Sequence, residues 1–428
     1  MAGVAELVAV ATIVTAVFGA GDVTMLSEKI LKEIADNGGQ AIYVGGYVRD
    51  RFMGIESRDL DVEVYGIPAE DLPHVLEKVI GKPVKQLSVG EHDFPVWLCD
   101  GVEFAMPRTE EPTDKGGYTD FIAKPDHKLD FETAAMRRDY TINAIGYDPL
   151  TDRYIDPYDG MVDIERKILK ATSEKFTECA LRVLRGFQFC SRFNLTPTAD
   201  TIEKCKGMID RYPKLSKERV WKEFCKWATG NYPKAGLGFL QKTKWINLFP
   251  IIFNQHILSG EVCSRLVGNT KFSDNDRWRT PLMLASLLYC SSPDQAFRFL
   301  ITDLGSDIDT AKDVAELLSN KLAHIGCTPA SVRRIIHKEN KRKSFRVLPH
   351  LMRAIAGYQE DISDFCVWGQ REFTANPELK RYVTGNDLMK AGYKPSIELG
   401  HELNRLYDLQ LDCGYNRETL LKEIKSAN

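Results

Sequence analysis

The sequence predicts an α+β chain, with a mixed head followed by an all-α neck, body and tail. Between residues 40 and 165, short apolar runs and alternating segments recur between glycine turns, as strands mixed with short helices do. From about Ser173 helical periodicity takes over to the C-terminus, interrupted by turn clusters at NLTP, TGNYPK, CSSPD, GCTP and TANPE. A length of 428 residues exceeds one core, so about two to four domains are expected. The expected divisions are an apolar extension over 1–25, a head over 26–165, a helical neck over 166–230, a helical body over 231–345 and a helical tail over 346–428.

The elements of the head follow in order. QAIYVGG reads as a buried strand running into a glycine turn, and YVRDRFMG as a helix leaving it. LDVEVYG alternates and reads as a half-buried strand. KPVKQLSVGEHDFPVW adds more sheet, and GVEFAMP reads as a further strand. Glycines at Gly45 and Gly46 let backbone N–H groups approach a phosphate closely, and a helix start favours an anion. Asp59 and Asp61 lie two apart on a strand, so both carboxylates share one face while Leu60, Val62 and Val64 point to the core. Two close carboxylates repel unless a cation lies between them. Hard oxygen ligands of this kind suit Mg²⁺ carried in with a nucleoside triphosphate.

Composition removes several classes. Hydrophobic residues make up 43% and charged residues 27%, ordinary values for a soluble globular chain. The net charge of −3 supplies no global basic field, so a nucleic-acid partner must be met by local patches. Ten cysteines without a CxxC pair exclude zinc-ribbon spacing and a dense disulfide framework, and point to a reducing compartment with mostly buried thiols. The eight histidines form no HExxH pattern, which argues against a histidine metal site. Residues 1–21 are mostly apolar, without the basic start of a signal peptide or the arginines of a transit peptide. They are also short for a membrane span, which needs about 20 apolar residues. A cytoplasmic protein without a membrane or a stable protein partner is expected, with organellar targeting by residues 1–21 as the open alternative.

The order strand, GG, helix, DxD resembles the GGxVRD…DxD signature of class II tRNA nucleotidyltransferases and their poly(A) polymerase relatives, whose head is polymerase-β-like. FAMPRTE resembles that family's strand-to-loop segment, with a flexible loop following to about Lys128. AAMRRDYTINAIGYDPLTDRYIDPYDGMVDIERKIL resembles its RRDFTINA stretch and the hairpin after it. LSKERVWKEF and the segment from Thr384 to Ile424 resemble the later helices. The likeness spans roughly residues 39–425.

The resemblance implies an enzyme that adds C and A to tRNA 3′ ends from CTP and ATP, without a template, releasing pyrophosphate. Asp59 and Asp61 would hold two Mg²⁺ ions, with Glu103 on the neighbouring strand as a possible third carboxylate. Gly46 and Arg49 match positions at the triphosphate. Arg138 and Asp139 match the RRD motif, with Arg138 toward phosphate or sugar and Asp139 orienting it, and Asn143, five residues past Arg138, fixes the turn or contacts ribose.

Cytosine and adenine both present an amino donor beside a ring-nitrogen acceptor, so a carboxylate and an arginine can accept both and reject uracil and guanine. The family does this with a helical EDxxR motif. Here the matching stretch is Glu178-Cys179-Ala180-Leu181-Arg182, followed by Arg185. Cys179 replaces the pairing aspartate, and Gln188 replaces a further arginine. A thiol is a weak acceptor. A lost charge-assisted hydrogen bond is worth about 1.5–3 kcal/mol, roughly 10- to 150-fold in discrimination. Cys179 leaves three readings open: a tolerated change, altered nucleotide choice, or loss of addition.

The densest basic run, SVRRIIHKENKRKSFRV, contains Arg333, Arg334, Lys338, Lys341, Arg342 and Lys343 and is expected to meet RNA phosphates. Lys214, Lys217, Arg219 and Lys222 add charge near the start of the helical body. The tRNA acceptor end is the implied partner. The rivals are a poly(A)- or oligonucleotide-tailing polymerase, and a non-catalytic RNA-binding protein on the same scaffold.

Overall fold

The computed structural model describes residues 28–57, 60–89, 94–99, 101–112, 121–273, 276–338, 344–357 and 359–425. The apolar extension over 1–25, Asp59, Lys341, Arg342 and Lys343 lie outside them. The chain divides into two compact units. The first comprises Met1–Gly186, Asn194–Ser216 and Lys242–Lys244, and the second Phe187–Phe193, Lys217–Gln241 and Trp245–Asn428.

The first unit is built on a mixed sheet. Its strands are β1 (Gln40–Val44), β2 (Asp61–Tyr65), β3 (Lys85–Val89), β4 (Phe94–Cys99) and β5 (Val102–Ala105). A separate ribbon, β6 (Arg108–Pro112) with β7 (Phe121–Pro125), precedes β8 (Gly146–Asp148) and β9 (Arg153–Ile155). The seven-stranded order is β3-β4-β5-β2-β1-β8-β9. Within this sheet, among the described residues, β2 and β5 pair in parallel and the other neighbours pair antiparallel. The alternation expected of the second strand is present, with Leu60, Val62 and Val64 buried and Asp61 exposed. Each fully buried Val or Leu contributes about 1.5–3 kcal/mol, which pins the register that holds Asp61 outward.

Ile42, Val44, Tyr65, Phe131, Ala135 and Ala144 form a core on the sheet. The helices Glu28–Asp36 and Leu72–Ile80 bury Ile30, Leu31 and Ile34, and Leu72, Val75 and Leu76. Of the stretch expected as a flexible loop from Glu110 to about Lys128, the flanks pair antiparallel within β6 and β7, and residues 113–120 between them lie outside the described residues.

The second unit is helical. Lys217–Ala228 buries Val220, Phe224 and Trp227, and Phe187 stacks on Trp227 with ring centres 5.4 Å apart. Seven consecutive residues of Arg279–Leu287, Pro281 to Leu287, are buried, marking it as the centre of the unit. The C-terminal helices Gly385–Lys390, Ile397–Cys413 and Arg417–Lys422 close on a small core of Val383, Leu388, Leu406 and Leu420. Among the described residues no helix is long and apolar enough to cross a membrane.

Candidate active site

The site starts where β1 ends. Val44 pairs with Asp61 across the ladder, and the chain then turns at Gly45 with φ 72° and ψ −137°. Only glycine adopts that conformation without strain. A β-carbon at Gly45 would lie 3.5 Å from Arg138 Nη1 and 3.6 Å from Asp61 Oδ2. The turn is thus the floor of a niche with a guanidinium on one side and a carboxylate on the other. The helix after it, Gly46–Phe52, has seven residues, so the turn's own N–H groups and Arg138 matter more here than a macrodipole.

The parallel pairing of β2 with β5 sets Glu103 directly beside Asp61, both exposed. Neighbours in register project to the same face, so the two carboxylates lie side by side. Among the described residues no cluster of three or more metal-ligating side chains is assembled.

One residue of this face was not singled out in the sequence. Glu63 lies two positions beyond Asp61 on the same strand, so period two places it in the same row. Glu63 Oε1 accepts from Arg138 Nη2 at 2.8 Å, and Oε2 accepts from the Tyr65 hydroxyl at 2.6 Å. Burial first, and then the charge of Glu63, push the Tyr65 phenol up, so it remains a donor. Arg138 Nη1 also reaches the Asn143 carbonyl at 3.3 Å, while its Nε is buried with no hydrogen-bond partner among the described residues. An unsatisfied buried donor costs about 1–3 kcal/mol, so this orientation is not the one that best serves the arginine itself.

Behind the niche runs a buried polar chain. Arg49 donates from Nε and Nη2 to Asp50 Oδ1 at 2.8 and 2.6 Å, and from Nη1 to Asn143 Oδ1 at 2.6 Å. Asn143 Nδ2 donates to Asp139 Oδ1 at 2.8 Å, and Arg185 Nε donates to Asp139 Oδ2 at 2.5 Å. Arg49 is 4% exposed, so it braces the glycine turn from within, where the resemblance implied a place at the triphosphate. Burial raises the Asp139 pKa, but the charge of Arg185 and the hydrogen bonds from Asn143, Arg185 and the Tyr140 N–H outweigh it and hold the carboxyl below its usual range.

The expected base-reading helix begins later than its spacing suggested. Glu174–Glu178 is a 3-10 turn, Cys179 is extended at φ −132° and ψ 111°, and the α-helix runs Leu181–Phe193. Cys179 and Arg182 therefore do not share a helix face. The reason is tertiary: Phe176 is fully buried against Tyr140, and the Arg182 guanidinium donates to the carbonyls of Lys175 and Arg137. The Cys179 carbonyl accepts the Arg182 N–H at 3.2 Å, so the thiol sits at the entrance to the helix.

The basic run divides. Arg333 donates to the carbonyls of Leu411 and Asp412, and Arg334 pairs with Asp408 and Asp412. Both hold the helix Ile397–Cys413 against Pro329–Lys338, which accounts for their charge without RNA. His337 joins them, with Nε2 2.7 Å from Glu372 and Nδ1 2.9 Å from the Tyr407 hydroxyl. Lys338 is exposed.

Residues 41–170 match the model of the poly A polymerase head domain. A multifunctional CCA protein of Xylella fastidiosa (strain 9a5c) is 34% identical over 216 residues, 49% of each chain. A CCA-adding enzyme of Blochmanniella floridana is 30% identical over 290 residues, 66% of each. The chain spans about half the length of the first of these curated relatives. A solved CCA-adding enzyme in complex with ATP superposes with a TM-score of 0.65 over 92% of both chains at 18% identity, a likeness of fold. The GG turn, the Asp61 strand and the RRD segment all fall inside the matched head, and the chain belongs to the tRNA nucleotidyltransferase and poly(A) polymerase family.

Proposed function

We propose that this chain is a template-independent nucleotidyltransferase that adds C and A to tRNA 3′ ends from CTP and ATP and releases pyrophosphate. The observation that carries the reading is the Gly45 niche, flanked by Arg138 and Asp61, with Glu103 in register beside Asp61. A triphosphate fits a turn that has no side chain in its way and a cation at its rim. The names of the relatives support the same reaction for this chain.

The donor set fits Mg²⁺, since Asp61 and Glu103 offer hard oxygen ligands on one exposed face. Bound there, Mg²⁺ supplies charge stabilisation for the attacking and leaving oxygens. The protein's own groups do the rest. Arg138 Nη1 meets phosphate oxygens, Gly45 and Gly46 admit them, and the Arg49–Asn143–Asp139–Arg185 chain ties the turn to Arg185. Base reading is assigned to the start of the helix Leu181–Phe193, which carries Arg182 and Arg185, and RNA phosphate to the exposed Lys338 together with Lys341, Arg342 and Lys343. The compartment that fits this work is the cytoplasm.

One observation favours a variant of this reading. Cys179 supplies no carboxylate for the amino edge of C or A, and the Arg182 guanidinium is engaged by the Lys175 and Arg137 carbonyls, so nucleotide choice rests on the shape of the site. Incubation with tRNA lacking its terminal CCA, supplied with one labelled nucleotide at a time, tests the proposal. Incorporation of C and A that disappears in Asp61→Ala is expected, and RNA binding without any incorporation would overturn it.

A further inference from the structure

We propose that Glu63 is a positioning residue for the nucleotide triphosphate, acting through Arg138; this rests on the nucleotidyltransferase reading above. The argument begins with the geometry of one carboxylate. Both oxygens of Glu63 are committed, Oε1 to Arg138 and Oε2 to Tyr65, and the ion pair is largely buried at 20% and 17% exposure. Tyr65 is itself anchored in the sheet core, so the carboxylate has little freedom to follow a moving arginine. Arg138 is thereby gripped at Nη2, which leaves Nη1 turned toward the glycine turn, 3.5 Å from the place a β-carbon would take at Gly45.

The same strand face explains why a grip is needed. Arg138 stands beside two carboxylates of one row, Asp61 at the niche and Glu63 behind it. A guanidinium drawn onto Asp61 would neutralise the carboxylate that a cation needs and turn its donors away from the phosphate. Glu63 draws it the other way. The buried Nε of Arg138, without a partner among the described residues, marks an orientation held from outside. No direct contact between Glu63 and the nucleotide is required.

The test uses the full chain and CTP with Mg²⁺ in the absence of RNA, followed by calorimetric titration, and the same variants in steady-state addition to tRNA. Glu63→Gln keeps the size of the side chain and its bond to Tyr65 but removes the charge. It is expected to weaken CTP binding about tenfold. At saturating CTP its kcat should stay within about twofold, since the chemistry is untouched. In an Arg138→Gln background, Glu63→Gln should add nothing. Glu63→Asp should recover part of the affinity, and Tyr65→Phe, which loosens one end of the carboxylate, should lose about threefold. If Glu63→Gln is unstable, these two milder variants carry the same comparison. Unchanged affinity in Glu63→Gln, or a loss that adds fully to that of Arg138→Gln, would overturn the inference while leaving the activity in place. A wild-type chain that binds no CTP would instead overturn the nucleotidyltransferase reading, and the inference with it.

Discussion

Arg185 and Asp139 form an ion pair across 46 residues of sequence, Nε to Oδ2 at 2.5 Å, with the carboxylate 7% exposed and the guanidinium 34%. It joins the RRD segment to the first turns of the helix Leu181–Phe193. Asp139 also accepts from Asn143, which accepts from Arg49, so one carboxylate terminates a chain that reaches back to the glycine turn. Removing it strands two partners at once.

Asp139→Ala should therefore lower stability by about 2–3 kcal/mol, with the partial exposure of Arg185 keeping it below the full cost of an orphaned buried charge. Urea unfolding measures this. The pH dependence has a definite sign. The folded pKa of Asp139 lies below the ordinary 3.8, so its contribution is present above that value and is lost as pH falls through the lower folded one. Asp139→Asn should flatten the acid limb of the stability curve and leave neutral pH without a slope from this group.

Gly45→Ala places a methyl group 3.5 Å from Arg138 Nη1, in a backbone region that L-residues avoid. The strain should cost about 1–3 kcal/mol of stability. Affinity for CTP should fall further than a melting shift explains, because the methyl fills the niche. Titration with CTP and Mg²⁺ alongside a thermal melt separates the two effects.

Cys179→Asp places a charged acceptor at the extended residue that enters the helix Leu181–Phe193. Preference for CTP and ATP over UTP and GTP should rise about tenfold. Competition among the four nucleotides reads this directly, and an unchanged preference would remove position 179 from base selection.

The two halves of the basic run should separate by assay. Arg333→Ala loses bonds to the Leu411 and Asp412 carbonyls, so the helix Ile397–Cys413 should open more readily, by about 1–2 kcal/mol in hydrogen exchange. Lys338→Ala should leave exchange unchanged, weaken RNA binding, and reduce the salt slope by about one.

What the sequence disclosed follows from which forces are local. The strands around Ile42, Val62 and Phe104 were legible because a buried sheet face imposes period two on neighbouring residues. The placement of Asp61 came with them. Glu63 obeys the same rule, but one more carboxylate in an alternating strand carries no chemistry until Arg138, 75 residues away, meets it. The late start of the helix at Leu181 was illegible for a similar reason. Spacing from Glu178 to Arg185 suits a helix, yet carbonyls at Lys175 and Arg137 claim the Arg182 side chain and hold the preceding turn. Arg333 and Arg334 read as RNA ligands because a charge run shows its sign in sequence and conceals its partners, which here lie on the helix Ile397–Cys413.

The central claim is that the niche at Gly45, between Arg138 and Asp61, is the triphosphate site of an enzyme that completes tRNA 3′ ends. Sequencing the 3′ termini of tRNA transcripts lacking CCA, after incubation with the protein, Mg²⁺ and all four nucleotides, tests it most directly. The account predicts that C and A are added at the discriminator base, that extension stops at CCA, and that Asp61→Ala abolishes the addition. Long A tails, appearing equally on unrelated RNA, would contradict it.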